Sequence, residues 1–171
     1  MKKNFILSSL AEYLYFHGYL SKYLDIDSLT GLYNRNFYEK EIPKMVAQAK
    51  RSDTDLVVVV VDVDGLKKMN DTYGHKAGDK LIKGLAKLLV KQVRESDMVV
   101  RMGGDEFVLI LWNSELGGAK MMMERTLVKA RVLGINFSFG LALVKKGMNL
   151  KKRMIEADEK MYSMKRAGTG R

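Results

Sequence analysis

Two apolar runs joined by Gly103-Gly104-Asp105-Glu106 constrain the fold of this chain more than any other feature of its sequence. Residues 98–100 form the first run and residues 107–112 form the second. Because glycine accepts positive φ, Gly103 and Gly104 are predicted to be the central residues of a tight turn between antiparallel strands. Asp105 and Glu106 would then lie beside backbone without side chains, where a ligand can approach closely. An ordinary surface hairpin with solvated acids has the same pattern, and the rest of the chain must distinguish the two.

A second strand is predicted over residues 56–61, which are one leucine and five valines. Such an unbroken, mostly β-branched run is typical of a strand that is buried on both faces. The run ends in Asp62-Val63-Asp64. Carboxylates at the end of a buried strand are costly unless a cation pairs with them, and this cost suggests a metal site.

The remaining segments complete the predicted order of elements. Apolar residues at helical spacing predict helices over residues 36–51, from 79 to about 93, over 114–133 and from 150 to about 168. The polar, glycine-containing residues 65–78 predict a loop, and alternation over residues 135–143 predicts another strand. The order contains βαββαβ. It predicts an α+β fold with an antiparallel-containing central sheet flanked by helices, which we expect on one side of the sheet.

The N-terminal segment, residues 1–25, is predicted to be an added helix ahead of a single domain that spans residues 26–171. Its apolar positions follow the seam spacing of a coiled coil, at Ile6, Leu10, Tyr13, His17, Leu20 and Leu24. The helix could pack on its own domain or pair with a second copy of the chain. We expect pairing, and therefore a homodimer.

Composition limits the classes of partner. The chain has no cysteine and no run of about 18 apolar residues, so we expect a cytoplasmic protein without a membrane segment. Its net charge of +10 predicts attraction to polyanions, which include nucleic acid, membrane surfaces and nucleoside triphosphates. Nucleic-acid binding predicts basic and aromatic residues interleaved on one face. The basic residues instead look scattered along the helices, so no nucleic-acid partner is expected.

The predicted sheet brings acidic residues together. In a βαββαβ sheet the strand over residues 56–61 lies beside the hairpin, so Asp62 and Asp105 are expected to face each other across neighbouring strands. Hard oxygen ligands favour Mg²⁺ or Mn²⁺, and two such ions suit phosphoryl transfer. The loop at Gly65-Leu66 offers backbone N–H groups, and Lys67 offers a charge for phosphates.

A base-binding pair follows this loop. Asn70 and Asp79 could contact the edge of a base. A carboxylate that accepts two N–H donors suits guanine, whereas adenine would leave it unpaired.

With these residues named, the chain resembles the GGDEF family, the diguanylate cyclases. The resemblance extends over about 140 residues, in family order. It includes Asp27-Ser-Leu-Thr-Gly-Leu-Tyr-Asn-Arg35, Asp62-Val-Asp-Gly-Leu-Lys67, Asn70-Asp71, Gly74-His75, Gly78-Asp79, Gly103-Gly-Asp-Glu-Phe107, and Ala157-Asp158 with Tyr162 and Lys165. It implies a nucleotide-cyclase or palm-like core and the condensation of two GTP into cyclic di-GMP plus two pyrophosphates.

The resemblance also implies roles for individual residues. The metal ligands, for two Mg²⁺ or Mn²⁺ ions per site, would be Asp62, the Val63 carbonyl and Asp105, assisted by Glu106. Asp105 would also activate the 3′-hydroxyl. The substrate contacts would be Gly65, Leu66, Lys67, Asn70, His75, Asp79, Gly103, Gly104 and Lys165. Each protomer would hold one GTP, so the product requires two sites face to face in a homodimer.

The resemblance further implies a site where the product inhibits the enzyme. Arg94-Glu-Ser-Asp97 lies five residues before Gly103 and matches the RxxD pattern of the family, with Arg125 as a secondary contact. A non-catalytic receptor for cyclic di-GMP that uses this site is the alternative reading. Leu66 stands where the family usually has phenylalanine, and Thr169 where it usually has arginine, so one phosphate contact is in doubt.

Overall fold

The computed structural model describes residues 24–168, which form one mixed five-stranded sheet covered by helices. The strands are β1 (Tyr33–Asn34), β2 (Leu56–Val63), β3 (Met98–Gly103), β4 (Glu106–Trp112) and β5 (Phe137–Val144). The helices are α1 (Arg35–Arg51), α2 (Leu66–Tyr73), α3 (His75–Val90), α4 (Leu116–Val132) and α5 (Leu150–Gly168). The strand order is β1-β3-β4-β2-β5, with β1 parallel to β3 and the other pairs antiparallel. The βαββαβ order and the pairing of β2 with β4 are confirmed. The predicted helix of residues 1–25 lies outside the described residues except for its last two.

Helices cover both faces of the sheet, so the expectation of helices on one side was wrong. Helices α3 and α4 pack on one face, and α1 and α5 pack on the other. As a result β5 is buried on both faces rather than alternating between core and solvent. Gly140 shows the reason, because a Cβ at this position would come within 1.9 Å of the Ala157 carbonyl oxygen on α5. Gly140 and Ala142 are small, which lets α5 pack closely on β5. Their alternation with large apolar residues resembles the pattern of a strand with one exposed face.

The segment predicted as a loop contains helix α2, and α3 begins at His75 rather than at Asp79. Gly65 starts α2 in the left-handed region at φ 74°, and Gly74 separates the two helices at φ 79°. Few apolar residues mark α2, because only Leu66 and Met69 pack on the core. Among residues 24–168, no helix is long and apolar enough to cross a membrane.

The hairpin is present, but its turn is shifted by one residue from the prediction. Gly103 pairs with Glu106, so the two turn residues are Gly104 and Asp105. Both glycines have positive φ, at 141° and 51°, as predicted. The register shifts between Arg101 and Gly103, which accommodates the extra residue as a bulge. Asp105 therefore lies in the turn itself.

Candidate active site

The end of β2 and the hairpin turn form one acidic site. Asp62 lies opposite Glu106 in the β2–β4 register, and Asp105 is the next residue towards the turn. The Val63 N–H donates to the Asp105 carbonyl oxygen at 3.0 Å, which holds the turn against the end of the strand. Asp62 is only 8% exposed. The direct cross-strand neighbour of Asp62 is thus Glu106, with Asp105 close enough to interact electrostatically.

Lys165 reaches this site from α5. Its ammonium group donates to Asp62 Oδ1, and the pair is partly buried. Burial tends to lower the pKa of Lys165, but the carboxylates of Asp62, Asp105 and Asp64 outweigh this effect and raise it. Lys165 was predicted to contact phosphates. In the structure it neutralises part of the acidic cluster.

Burial, and to a smaller extent neighbouring carboxylates, raise the pKa values of acidic side chains at this site. Burial raises the pKa of Asp62, and Asp105 and Asp64 add to that effect, whereas Lys165 opposes it. Burial also raises the pKa of Glu106, with further contributions from Asp105 and Asp62. The carboxylates therefore hold more negative charge than one lysine can compensate, which is a reason for them to bind a further cation.

The oxygen donors of the site are of the type that Mg²⁺ or Mn²⁺ binds. Among residues 24–168, no three acidic or histidine side chains converge tightly enough to enclose an ion by themselves. Mg²⁺ typically takes one or two carboxylates and completes its octahedron with water and substrate phosphates. The carboxylates of Asp62 and Asp105 could supply two oxygen ligands of this kind.

Asp64 was noted in the sequence with Asp62, but no individual role was predicted for it. Its carboxylate accepts from the Ser138 hydroxyl at 3.0 and 3.1 Å. Burial raises its pKa, and Lys165 interacts with it electrostatically. The repeated acid in Asp62-Val63-Asp64 was the available signal, because alternate residues of a strand point to the same face.

Arg101 forms a clamp that holds the hairpin turn in place, a role that was not predicted from the sequence. Arg101 donates from its NH1 nitrogen to both oxygens of Asp27, at 2.9 and 3.1 Å. Its Nε and NH2 nitrogens donate to the Gly104 carbonyl oxygen at 3.2 and 2.7 Å. Thr30 donates to Asp27 from its backbone N–H and its hydroxyl, and these bonds together lower the pKa of Asp27 despite its partial burial. The connector before β1 is thereby tied to the turn that carries Asp105.

Helix α2 carries Asn70 and helix α3 carries His75 and Asp79, and the two helices pack closely where Asn70 meets Gly78. Asn70 Oδ1 is buried without a hydrogen-bond partner, and it lies against Gly78, where a Cβ would come within 2.0 Å of this oxygen. Gly78 is thus needed for α2 and α3 to approach, and it precedes Asp79 directly. His75 is exposed at the first residue of α3. Asp79 is half-buried, and the structure thus places Asn70 against the residue that precedes it.

The other predicted contacts lie around this cluster. Lys67 is exposed in the first turn of α2, next to the N-terminal glycine Gly65, while Leu66 packs on the core. Gly103 and Gly104 have open space where side chains would be, since no atom lies within 4 Å of an added Cβ. The surface of the hairpin is therefore accessible to a bound molecule.

The predicted inhibitory residues share a separate cleft of about 560 Å³. Arg94, Asp97 and Arg125 all line it, with Arg125 contributed by α4. The Asp97 carboxylate is already engaged, because Oδ2 accepts from the Arg94 N–H and Oδ1 from the Trp112 N–H, both at 2.9 Å. Asp97 thus also shapes the entry to β3, and the two arginines are the groups open to an anion.

Comparison with known proteins relates this site to a family. The model of the family described as diguanylate cyclase, GGDEF domain, matches residues 24–171. The curated diguanylate cyclase DgcS of Shewanella oneidensis is 34% identical over 148 residues, 83% of this chain and 50% of that protein. Diguanylate cyclase DosC of Escherichia coli is 35% identical over 156 residues, 85% of this chain and 34% of that protein. The chain therefore spans half or less of the length of these relatives.

Solved structures match more fully. A crystal structure of the coiled coil and GGDEF domain of DgcB from Caulobacter crescentus, in complex with c-di-GMP, has a TM-score of 0.85 at 27% identity. It covers 97% of this chain and 95% of that one. Diguanylate cyclase SiaD of Pseudomonas aeruginosa, in complex with its activator SiaC, has a TM-score of 0.80 at 27% identity and covers 98% of this chain and 68% of that one.

Proposed function

The chain belongs to the GGDEF family of diguanylate cyclase domains, and we propose that it condenses two GTP into cyclic di-GMP and two pyrophosphates. The observation that carries the proposal is the acidic site, where Asp62 on β2 meets Glu106 and the Asp105 turn. The relatives named diguanylate cyclase are similar to this chain over more than four-fifths of its length.

The reaction requires nucleophile activation and loss of a leaving group. The 3′-oxygen of one GTP attacks the α-phosphorus of the other, the bond to the β-phosphate oxygen breaks, and pyrophosphate leaves. A second attack in the opposite direction closes the ring. Asp105 is the residue we assign to orient the 3′-hydroxyl and receive its proton, because it lies in the accessible turn.

Mg²⁺ or Mn²⁺, two per active site, would be held by Asp62, the Val63 carbonyl, Asp105 and Glu106, and bound there would stabilise the charge that develops on the α-phosphate. Lys165 and Lys67 supply cationic groups for the other phosphates. Gly103 and Gly104 leave the hairpin bare for the nucleotide. Asn70 and Asp79 would bind guanine through their side chains, with His75 nearby.

Each chain would provide half of the reaction centre. One acidic site holds one nucleotide, so two protomers must bring their GTP molecules face to face. The heptad spacing of the predicted N-terminal helix supports pairing of two copies. The DgcB structure, which contains a coiled coil and covers 97% of this chain, supports the same proposal.

Cyclic di-GMP is also proposed to inhibit the enzyme at the cleft of Arg94, Asp97 and Arg125. Two solved relatives contain c-di-GMP, which supports a ligand of this class. Arg94→Ala is expected to relieve inhibition by added cyclic di-GMP at least about tenfold, since it removes a charge-assisted contact. Lys91→Ala, an exposed neighbour outside the cleft, is the matched control. Unchanged inhibition in Arg94→Ala would count against this location.

The test of the catalytic proposal is incubation with GTP and Mg²⁺ followed by nucleotide chromatography. Cyclic di-GMP should form with the natural chain and be lost in Asp105→Ala. Asp25→Ala changes an acid of the connector, outside the acidic cluster, and should leave product formation intact. Binding of cyclic di-GMP without any product from GTP would favour the alternative, a receptor that uses only the cleft of Arg94.

A further inference from the structure

Helices α3 and α4 present two unlike rows of side chains to the outside of the same layer. The buried residues of both helices contact the same core cluster on one face of the sheet. Residues on the opposite side of each helix therefore point outward in the same direction. On this face the lysines are aligned, so the expectation that basic residues are scattered along the helices was wrong here.

The first row consists of lysines only. Five exposed lysines recur every three or four residues along α3 and its C-cap, at Lys76, Lys80, Lys83, Lys87 and Lys91. This spacing places them on one line directly opposite the buried Leu85 and Leu89, over about 22 Å. None of the five pairs with an acidic side chain of residues 24–168. Their charges are uncompensated within the described structure.

The second row, on α4, is apolar. Met121, Val128, Val132 and Leu133 are 61%, 62%, 82% and 62% exposed. The first three share one line with Arg125, opposite the buried Met123 and Ala130. Large apolar side chains that are this exposed and aligned typically mark an interaction site. Lys129 donates to Gln92 at 3.1 Å, which joins the two helices into one surface.

We propose that this lysine row and apolar row together form a docking surface for an anionic phospholipid bilayer. Headgroup phosphates attract unpaired lysines, and the interfacial region below them accepts apolar side chains, so a bilayer complements both rows. A nucleic-acid duplex would use the lysines but would gain nothing from Met121, Val128 and Val132. The lysine row also contains no arginine and no aromatic side chain, the groups that recognise individual phosphates and bases. The proposal does not depend on the proposed catalytic activity, although Met121 and Arg125 also line the cleft assigned to cyclic di-GMP.

The test is co-sedimentation of the full chain with phosphatidylcholine vesicles, with and without about 30 mol% phosphatidylglycerol. Binding is expected only with phosphatidylglycerol and should weaken as salt increases. The triple variant Lys80→Gln/Lys83→Gln/Lys87→Gln should reduce binding at least about tenfold. The matched control, Lys50→Gln/Lys151→Gln/Lys152→Gln, makes the same charge change on the α1 and α5 side and should stay within about twofold.

A second variant tests the apolar row. Val128→Ser/Val132→Ser changes two exposed residues, so the fold should be retained, and circular dichroism checks this. We expect several-fold weaker binding that keeps its salt dependence. The proposal would be overturned if the two lysine variants lost vesicle binding equally, or if the chain bound vesicles of phosphatidylcholine alone. It would also be overturned if substitutions in neither row changed binding, or if a DNA duplex bound through the lysine row when vesicles did not.

Discussion

Replacing Arg101 tests most clearly whether the turn of Gly104 and Asp105 is held in one position or is an ordinary surface hairpin. Its side chain is 11% exposed and its partner Asp27 is 21% exposed, so the ion pair is largely shielded from water. Arg101 also makes both hydrogen bonds to the Gly104 carbonyl oxygen. Arg101→Gln therefore removes the link between the connector and the turn next to Asp105.

The expected cost follows from these contacts. Charge-assisted hydrogen bonds contribute about 1.5–3 kcal/mol when shielded, and an exposed carbonyl that loses a donor is solvated by water at little cost. Breaking a fully buried pair costs about 3–5 kcal/mol, and exposed pairs contribute about 0–1 kcal/mol. Because the pair is of intermediate burial, Arg101→Gln should lower the free energy of unfolding by about 2 kcal/mol, which corresponds to a loss of roughly 4–8 °C in Tm for a domain of this size. We also expect a lower kcat, because Asp105 loses its fixed position.

The assay is urea unfolding of Arg101→Gln, Asp27→Asn and the double variant, with activity measured in parallel. A coupling free energy of at least about 1 kcal/mol is expected between the two sites. Because the pKa of Asp27 is lowered, its contribution should persist above about pH 4 and disappear as the pH falls through that lowered pKa. A coupling free energy below about 0.5 kcal/mol, which would make the effects of the two substitutions additive, would refute this reasoning.

Two further predictions concern the core and the acidic cluster. Gly140→Ala should lose about 3 kcal/mol or more in urea unfolding, because its Cβ would overlap the backbone of Ala157 and Met161. Gly117→Ala on α4 has open space and should be neutral or stabilising, and an equal loss in both would contradict the close packing of α5 on β5. Burial raises the pKa values of Asp62, Asp64 and Glu106, with neighbouring carboxylates adding to the effect at Asp62 and Glu106, so their ionisation costs stability as the pH rises through those values. Mg²⁺ should therefore raise Tm more at about pH 7.5 than at about pH 5. The difference should vanish in Asp62→Asn, and an equal shift at both pH values would argue against metal binding by this cluster.

The sheet was largely predictable because its strands carry strong local signals. The valine run of β2 and the apolar arms of the hairpin indicate buried strands whatever surrounds them. Helix α2 was missed because two core contacts, Leu66 and Met69, are too few to show a helical period between glycines. The second helical layer was missed because Gly140 and Ala142 resemble an exposed face, whereas they are small so that α5 can pack there.

The candidate site was predictable in its members but not in its connections. Asp62, Asp105 and Glu106 were expected together, and β2–β4 pairing places Glu106 opposite Asp62. The shift of the turn to Gly104 and Asp105 depends on a bulge, which local glycine preference cannot locate. The clamp between Arg101 and Asp27 joins residues 74 positions apart, and such long-range pairs leave no periodic trace in one sequence.

The proposal that each chain carries half of an active site is tested most directly by mixing chains. The natural chain and Asp105→Ala are equilibrated at fixed total concentration, and cyclic di-GMP is measured from GTP and Mg²⁺. If two competent protomers are required, an equal mixture should retain about one quarter of the activity, the fraction of dimers with two intact halves. Activity that simply falls by half, in proportion to the natural chain, would contradict a shared reaction centre. No cyclic di-GMP from the natural chain alone would contradict the proposed function.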